Sequence, residues 1–196
     1  MGFEQAFSQF PILETERLIL RQLQVADAGE LYAYYSDPAV YQYLDWHGPN
    51  SVEDAAERVI SNWNRWYAEQ RIIRWGIVLK TTQRLIGTIF LCDFVGESRA
   101  DVGYELGKAH WNQGIMTEAL RAVIAFGFEA MGLHRIQAIV NPENPASLTV
   151  LKKAGFVEEG LLRAYEYHYI RRDFNDVIML ALLRRDFALS SERTSQ

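Results

Sequence analysis

Trp111-Asn112-Gln113-Gly114-Ile115-Met116-Thr117-Glu118 is the stretch on which the fold turns. It joins a β-rich run, Asp101 to Leu106, directly to the clearest helical pattern of the chain, Thr117 to Met131. There Leu120, Val123, Ile124, Gly127, Phe128 and Met131 recur at three- and four-residue steps, and Gly132 supplies a C-terminal stop. Gly114 lets backbone approach a ligand closely, and a helix start presents N–H groups that no earlier turn pairs. That is a physical seat for a phosphate or pyrophosphate. The plainer alternative, that Gly114 only eases a strand-to-helix turn, stands level with it on this loop alone.

Downstream, Arg135 to Val140 reads as a strand, followed by Asn141-Pro142-Glu143-Asn144-Pro145-Ala146-Ser147. This segment opens a helix from about Pro145 to Ala154, with Leu148, Leu151, Ala154 and Phe156 as core. Asn144 suits the N-cap, and Ser147 has the plain reading of a first-turn serine. Strands follow near Phe156 to Leu162 and Val177 to Leu183. Upstream, Glu16 to Arg21 is a first strand, and Asp27 to Ser36 carries Ala28, Leu31, Tyr32 and Tyr35 at helical spacing. Asp37-Pro38 punctuates it before a short helix over Val40 to Leu44. Ser51 with Asp54 is a capping signal for a helix to about Glu69 whose apolar face uses Ala55, Val59, Ile60, Trp63 and Trp66. Ile72 to Leu79 and Leu85 to Phe94 flank a polar turn at Lys80 to Arg84, hence a hairpin. About seven strands in a mixed α/β sheet with helices on both faces are expected.

The bulk numbers narrow the function. A length of 196 residues, 49% hydrophobic and 23% charged, fits one globular domain. The domain is expected over residues 12–186, with terminal extensions 1–11 and 187–196. Both ends read as loose: the first eleven residues have little period, and Ser190 to Gln196 are polar. A net charge of −5 and a pI near 5.4 argue against a nucleic-acid partner, which needs a basic face. Arg171-Arg172 and Arg184-Arg185 read as a hairpin turn and a solvated strand end. The single Cys92 lies in an apolar run and reads as a buried structural thiol. Without a signal peptide or a bilayer-length apolar segment, no membrane partner is expected, and a cytoplasmic location is the default. The four histidines show no ligand spacing, so no metal is expected. G-x-x-x-x-G-K-[ST], G-x-G-x-x-G and G-x-S-x-G are all missing, which takes the main support from the P-loop and dinucleotide readings and removes the obvious serine-hydrolase case.

A phosphate loop before a central helix, then N-x-x-S, then Leu151-Lys152-Lys153-Ala154-Gly155-Phe156, in this order, resembles the GNAT acetyltransferases. Within them the chain is most similar to the ribosomal-protein N-terminal acetyltransferase branch. Thr15-Glu16-Arg17-Leu18-Ile19-Leu20-Arg21, Gly103-Tyr104-Glu105-Leu106 and Asp173-Phe174-Asn175-Asp176 extend the likeness over nearly the whole chain.

The resemblance implies that the fourth and fifth strands splay apart and that acetyl-CoA is the co-substrate. Acetyl-pantetheine would then bond the backbone of Tyr104, Glu105 and Leu106, and the pyrophosphate would rest on Gln113, Gly114, Ile115, Met116 and Thr117 beside Asn112. Asn144 would hold the pantetheine arm, and Ser147 would lie near the thioester sulfur as proton donor. Glu166 matches the carboxylate implicated in the ribosomal-protein branch, whereas Glu105 lies where many other members carry theirs; Glu166 is preferred. Trp46 and Tyr104 would line the acceptor side, where Tyr41, Tyr43, Trp63 and Trp66 also cluster. Three positions depart from the wider pattern: Met116 stands where Gly or Ala is usual, Asn112 where a basic residue or Gly is common, and Leu151 where a Tyr donor is frequent.

The acceptor amine sets how much base is needed. An α-amine of pKa ~7.7–8.0 is roughly a tenth neutral at pH 7, but a lysine near ~10.4 is neutral in only about one molecule in a few thousand. That favours a protein N-terminus by about 3–4 kcal/mol of deprotonation. A small-amine acceptor and a non-catalytic acyl-CoA sensor are the alternatives, and the resemblance leaves a homodimer open.

Overall fold

Alternation in Leu18-Ile19-Leu20-Arg21 sends Leu18 and Leu20 into the interior, where both are fully buried. Ile72 to Val78 are instead buried without a break, as a central strand covered on both faces must be. A computed structural model describes residues 2–188, so the expected fraying of Ser190 to Gln196 lies outside the described residues. The strands are β1 (Leu13–Glu14), β2 (Leu18–Gln22), β3 (Ile72–Leu79), β4 (Arg84–Val95), β5 (Arg99–Leu106), β6 (Arg135–Val140), β7 (Val157–His168) and β8 (Asp173–Leu183). They form one mixed sheet in the order β1-β2-β3-β4-β5-β6-β8-β7. The pairs from β1 to β5 are antiparallel, β5 and β6 are parallel, and β6, β8 and β7 are again antiparallel. The eighth strand, beyond the seven expected, is the two-residue β1, too short to leave a periodic signal.

Helices cover both faces. α5 (Ile115–Ala125), prolonged by a π-helical turn over Phe126–Ala130, and α6 (Pro145–Lys153) lie on one side. Their Ile115, Leu120, Val123, Ile124 and Leu151 pack with Ile73, Trp75, Ile77, Ile89 and Leu91 of the sheet. Each such aliphatic side chain contributes about 1.5–3 kcal/mol of burial. On the other face are α1 (Ala28–Tyr35), α2 (Pro38–Tyr41), α3 (Val52–Asp54) and α4 (Ser61–Ala68), with a π-helical run over Ala55–Ile60 linking the last two. Leu31, Tyr35, Val59, Ile60 and Trp63 meet Leu23, Val78 and Leu85 there.

The structure corrects several boundaries. α2 starts at Pro38 rather than Val40, because Asp37 accepts a bond from the Ala39 N–H at 3.0 Å and Pro38 needs no N–H partner in the first turn. α5 starts two residues before Thr117. β7 continues six residues past Leu162, through an irregularity between Leu162 and Glu166 where Ala164 has φ 48° and donates its N–H to Asp176 at 2.7 Å. The start of the chain is not loose. Phe3, Phe7 and Phe10 form a ring cluster with Phe94, Tyr67 and Trp75, and the Trp75 indole donates to the Pro11 carbonyl at 2.7 Å. Among the described residues no helix is long and apolar enough to cross a membrane.

Candidate active site

β5 and β6 pair only at Arg99–Asp101 with Arg135–Gln137. Beyond them the strands diverge, which leaves β5 from Val102 to Leu106 without a strand on that side; this is the splay expected of the fourth and fifth strands counted from Glu16. Backbone polar groups on such an edge need partners from a ligand or solvent. The Leu106 carbonyl already accepts from the Trp111 indole at 2.7 Å.

Below the splay, the loop after β5 delivers the chain into α5. Gly114 has φ 72°, a left-handed conformation that costs glycine little, and no side chain caps the helix after it. The first helical bond is Glu118 N–H to the Gly114 carbonyl at 3.0 Å, so the preceding amides lie open at the positive end of the helix dipole. Ile115 and Met116 turn their side chains into the core, 3% and 6% exposed, so the methionine leaves the open amides of this turn uncovered. Asn112 has φ 58°; asparagine tolerates this region better than most residues, so it substitutes for the glycine common there. Gln113 donates its side-chain amide to the Ala109 carbonyl at 2.9 Å.

Across the splay, Ser147 lies in the first turn of α6. Its hydroxyl is 2.9 Å from the Tyr104 phenol oxygen, and that phenol also donates to the Ser147 carbonyl at 3.3 Å. Burial pushes the Tyr104 pKa up to about 12 against the opposing bond to Ser147, so the phenol is neutral near pH 7. Asn144 caps α6, its Oδ1 accepting the Ser147 N–H at 3.1 Å, so the plain reading of that residue describes its side-chain carbonyl. Leu151 is fully buried, with no polar group to offer at the position where a donor tyrosine is frequent.

The two carboxylates occupy different surroundings. Glu105 is buried on the α1–α4 face, where Arg74 Nη1 donates at 3.1 Å and the Thr88 hydroxyl at 2.5 Å. The Arg74 guanidinium lies over the Trp63 ring at 4.2 Å and the Phe90 ring at 3.8 Å. The Glu105 carboxylate is thus already engaged by donors from β3 and β4. Arg74 left no motif in the sequence; a lone arginine in an apolar strand was its one signal. Glu166 is on β7 opposite Asn175, with its side chain open to solvent. Partial burial and the charge of Asp45 raise its pKa above the usual carboxylate range, against a lowering effect of His168. His168 itself is buried and accepts the Arg171 N–H at 3.3 Å, which holds the tip of the β7–β8 turn.

Trp46 is wedged between Tyr35 (4.8 Å between ring centroids) and Trp63 (6.1 Å). Gly48 makes this possible: with φ 81°, a Cβ there would fall 2.7 Å from Tyr35. Trp46 is thus as much a packing residue as a wall. The Tyr41 ring lies 5.2 Å from that of His47 at a tilt of 53°, and Trp63 is buried as its helical spacing predicts. Cys92 is half-buried rather than fully buried, and burial raises its thiol pKa well out of the reactive range. Two surface clefts of about 380 and 450 Å³, one beside Cys92 and Trp66 and one beside Lys108 and Arg84, lie apart from Ser147 and Glu166. A splayed strand pair is an open slot, so it needs no closed cavity.

Comparison with known proteins agrees with this geometry. Residues 17–157 match the family model described as the acetyltransferase (GNAT) domain. The uncharacterized N-acetyltransferase YoaA of Bacillus subtilis (strain 168) is 43% identical over 159 residues, covering 81% of this chain and 89% of YoaA. The [ribosomal protein uS5]-alanine N-acetyltransferase of Escherichia coli (strain K12) is 27% identical over 184 residues, covering 89% and 92%. Among solved structures, the ribosomal-protein-S5-alanine acetyltransferase from Vibrio fischeri superposes with a TM-score of 0.72 at 25% identity, covering 89% of this chain and 97% of that one. The chain belongs to the GNAT family and is an N-acetyltransferase.

Proposed function

We propose that the acceptor is the N-terminal α-amine of a protein, a ribosomal protein being the leading candidate, with Ser147 as proton donor and Glu166 as base. The observation that carries this reading is the contrast between the carboxylates: Glu105 is tied to Arg74 and Thr88, whereas Glu166 is open to solvent with its proton affinity raised. An α-amine needs only this modest base, acting through water, because a sizeable fraction is already neutral at pH 7. The ribosomal-protein N-acetyltransferases among the relatives support the same choice at modest identity.

In the reaction the amine nitrogen bonds to the thioester carbonyl carbon, and the carbon–sulfur bond breaks. The nitrogen's surplus proton passes to Glu166, and the departing sulfur takes a proton from Ser147, which Tyr104 replenishes; solvent then returns a proton to the phenol as Glu166 releases its own, so the cycle closes with no net proton change. Free amide N–H groups on β5 beyond Val102 supply an oxyanion-type partner for the carbonyl oxygen. Asn112 to Thr117 seat the pyrophosphate, and Tyr104 to Leu106 with Asn144 receive the pantetheine arm. Residues 12–186 form the catalytic domain, and the enzyme works in the cytoplasm.

The test is thiol release from acetyl-CoA against peptides beginning with Ala, Ser or Met, blocked lysine peptides, polyamines and aminoglycosides. Turnover confined to free peptide N-termini, and lost in Ser147→Ala, is expected. Turnover only on a small amine would discard the N-terminal assignment; tight CoA binding without turnover would point to a sensor.

A further inference from the structure

The Thr15-Glu16-Arg17 segment at the front of the chain has no part in the chemistry above, yet it meets the start of α5 from a hundred residues away. The Thr15 hydroxyl donates to Glu118 Oε1 at 2.6 Å, and the Arg17 backbone N–H donates to the same oxygen at 2.9 Å. Arg17 Nε donates to Glu118 Oε2 at 2.6 Å, and its Nη1 donates to the Gln113 carbonyl at 2.9 Å. The guanidinium passes Gly114 so closely that a Cβ there would be 3.7 Å from Nη2. Thr15 is itself held, accepting from the Leu18 N–H at 3.0 Å, while its carbonyl takes the Lys80 ammonium at 2.7 Å.

We infer that Arg17 is a positioning residue for the acyl donor: with Glu118 it clamps the Gln113–Thr117 seat and cancels a carboxylate that would otherwise repel the donor's phosphates. The inference rests on the reading of that seat as the pyrophosphate site. Two physical points carry it. A glutamate in the first turn of α5 is favourable to the helix dipole but sits one turn from where an anion must bind. Unpaired, its charge would oppose a phosphate; paired with Arg17, it leaves the open amides as the dominant field. Burial disfavours the Glu118 charge, but the bonds from Thr15 and Arg17 outweigh it and keep the carboxyl ionised. Second, the bond to the Gln113 carbonyl fixes the one peptide whose orientation decides whether the Gly114 N–H points outward. Arg17 is 43% exposed, and its Nη2, unused by the bonds above, is left to approach solvent-borne phosphate as well.

The experiment compares two donors in wild type, Arg17→Met, Arg17→Lys and Glu118→Gln, with whichever amine the wild type acetylates. Acetyl-CoA carries the phosphates; acetyl-pantetheine does not. Arg17→Met is expected to raise KM for acetyl-CoA about tenfold, the size of one lost charge-assisted contact, with kcat at saturation and all acetyl-pantetheine kinetics within about twofold. Arg17→Lys, a single point charge without the fork, rescues only part of the loss and carries the test should Arg17→Met not fold. An equal loss with both donors, or no change in KM, overturns the clamp. Amide chemical shifts of the wild type with added CoA keep the two readings separate. Shifts at Gln113 to Thr117 with unaltered KM in the variants reject the clamp alone; no shifts there reject the seat and the clamp together.

Discussion

The Tyr104 and Ser147 hydroxyl oxygens lie 2.9 Å apart, joining β5 to the first turn of α6 across the opening between β5 and β6. That bond links two segments that share no sheet pairing, at the point where the proposed transfer takes place. Replacing Ser147 by Ala removes the proposed donor and is expected to lower kcat by about 10²–10⁴-fold. Tyr104→Phe keeps the serine but removes its proton supply, so a smaller fall is expected. Steady-state thiol release at saturating donor checks both.

The raised pKa of Glu166 predicts the acid limb of the pH profile. A base works only when ionised, so kcat/KM should fall as pH drops through a value above the usual carboxylate range. Asp45→Asn removes a charge that raises this pKa, and the limb should move to lower pH. Glu166→Gln should abolish it. A limb unmoved in both variants would assign it to another group, the acceptor amine included.

Arg74 and Glu105 make a stability prediction rather than a catalytic one. Removing one partner leaves the other charged and buried, so Arg74→Met or Glu105→Gln is expected to cost about 3–5 kcal/mol. The double variant Arg74→Met with Glu105→Gln should recover part of that loss. Denaturant melts of the four proteins close the cycle, and additive losses would show that the two residues are not coupled.

Asn112 tests the loop's backbone. Its left-handed φ predicts that Asn112→Gly is neutral or slightly stabilising, whereas Asn112→Val costs about 1–2 kcal/mol. The valine variant should also bind CoA more weakly. Thermal melts with and without CoA measure both effects.

Local chemistry was enough for much of this. The seat before α5, the caps at Ser51 and Asn144, the hairpin at Lys80 to Arg84 and the buried faces of α5 and α6 follow from period, glycine and capping residues, because those rules act within a few positions of one another. Segments without contrast escaped. β1 is two residues long, and the outer half of β7 runs through exposed Arg163 to Tyr167 without alternation, so neither has a period to read. The aromatic start of the chain lacks helical or strand period because its rings pack as a cluster on Phe94, Tyr67 and Trp75, not as a face.

The sequence by itself determined the mixed α/β class, the glycine turn that opens α5, and the presence of Ser147, Glu105 and Glu166 as the candidate chemistry. Only the tertiary structure distinguished the surroundings of the two carboxylates, since Arg74 and Thr88 reach Glu105, and the charge of Asp45 acts on Glu166, from strands and loops far apart in the chain. It also joined Arg17 to Glu118. The reason is common to all three: a side chain's charge state and orientation depend on what lies within a few ångströms in space, and sequence separation does not constrain that distance once the sheet has closed.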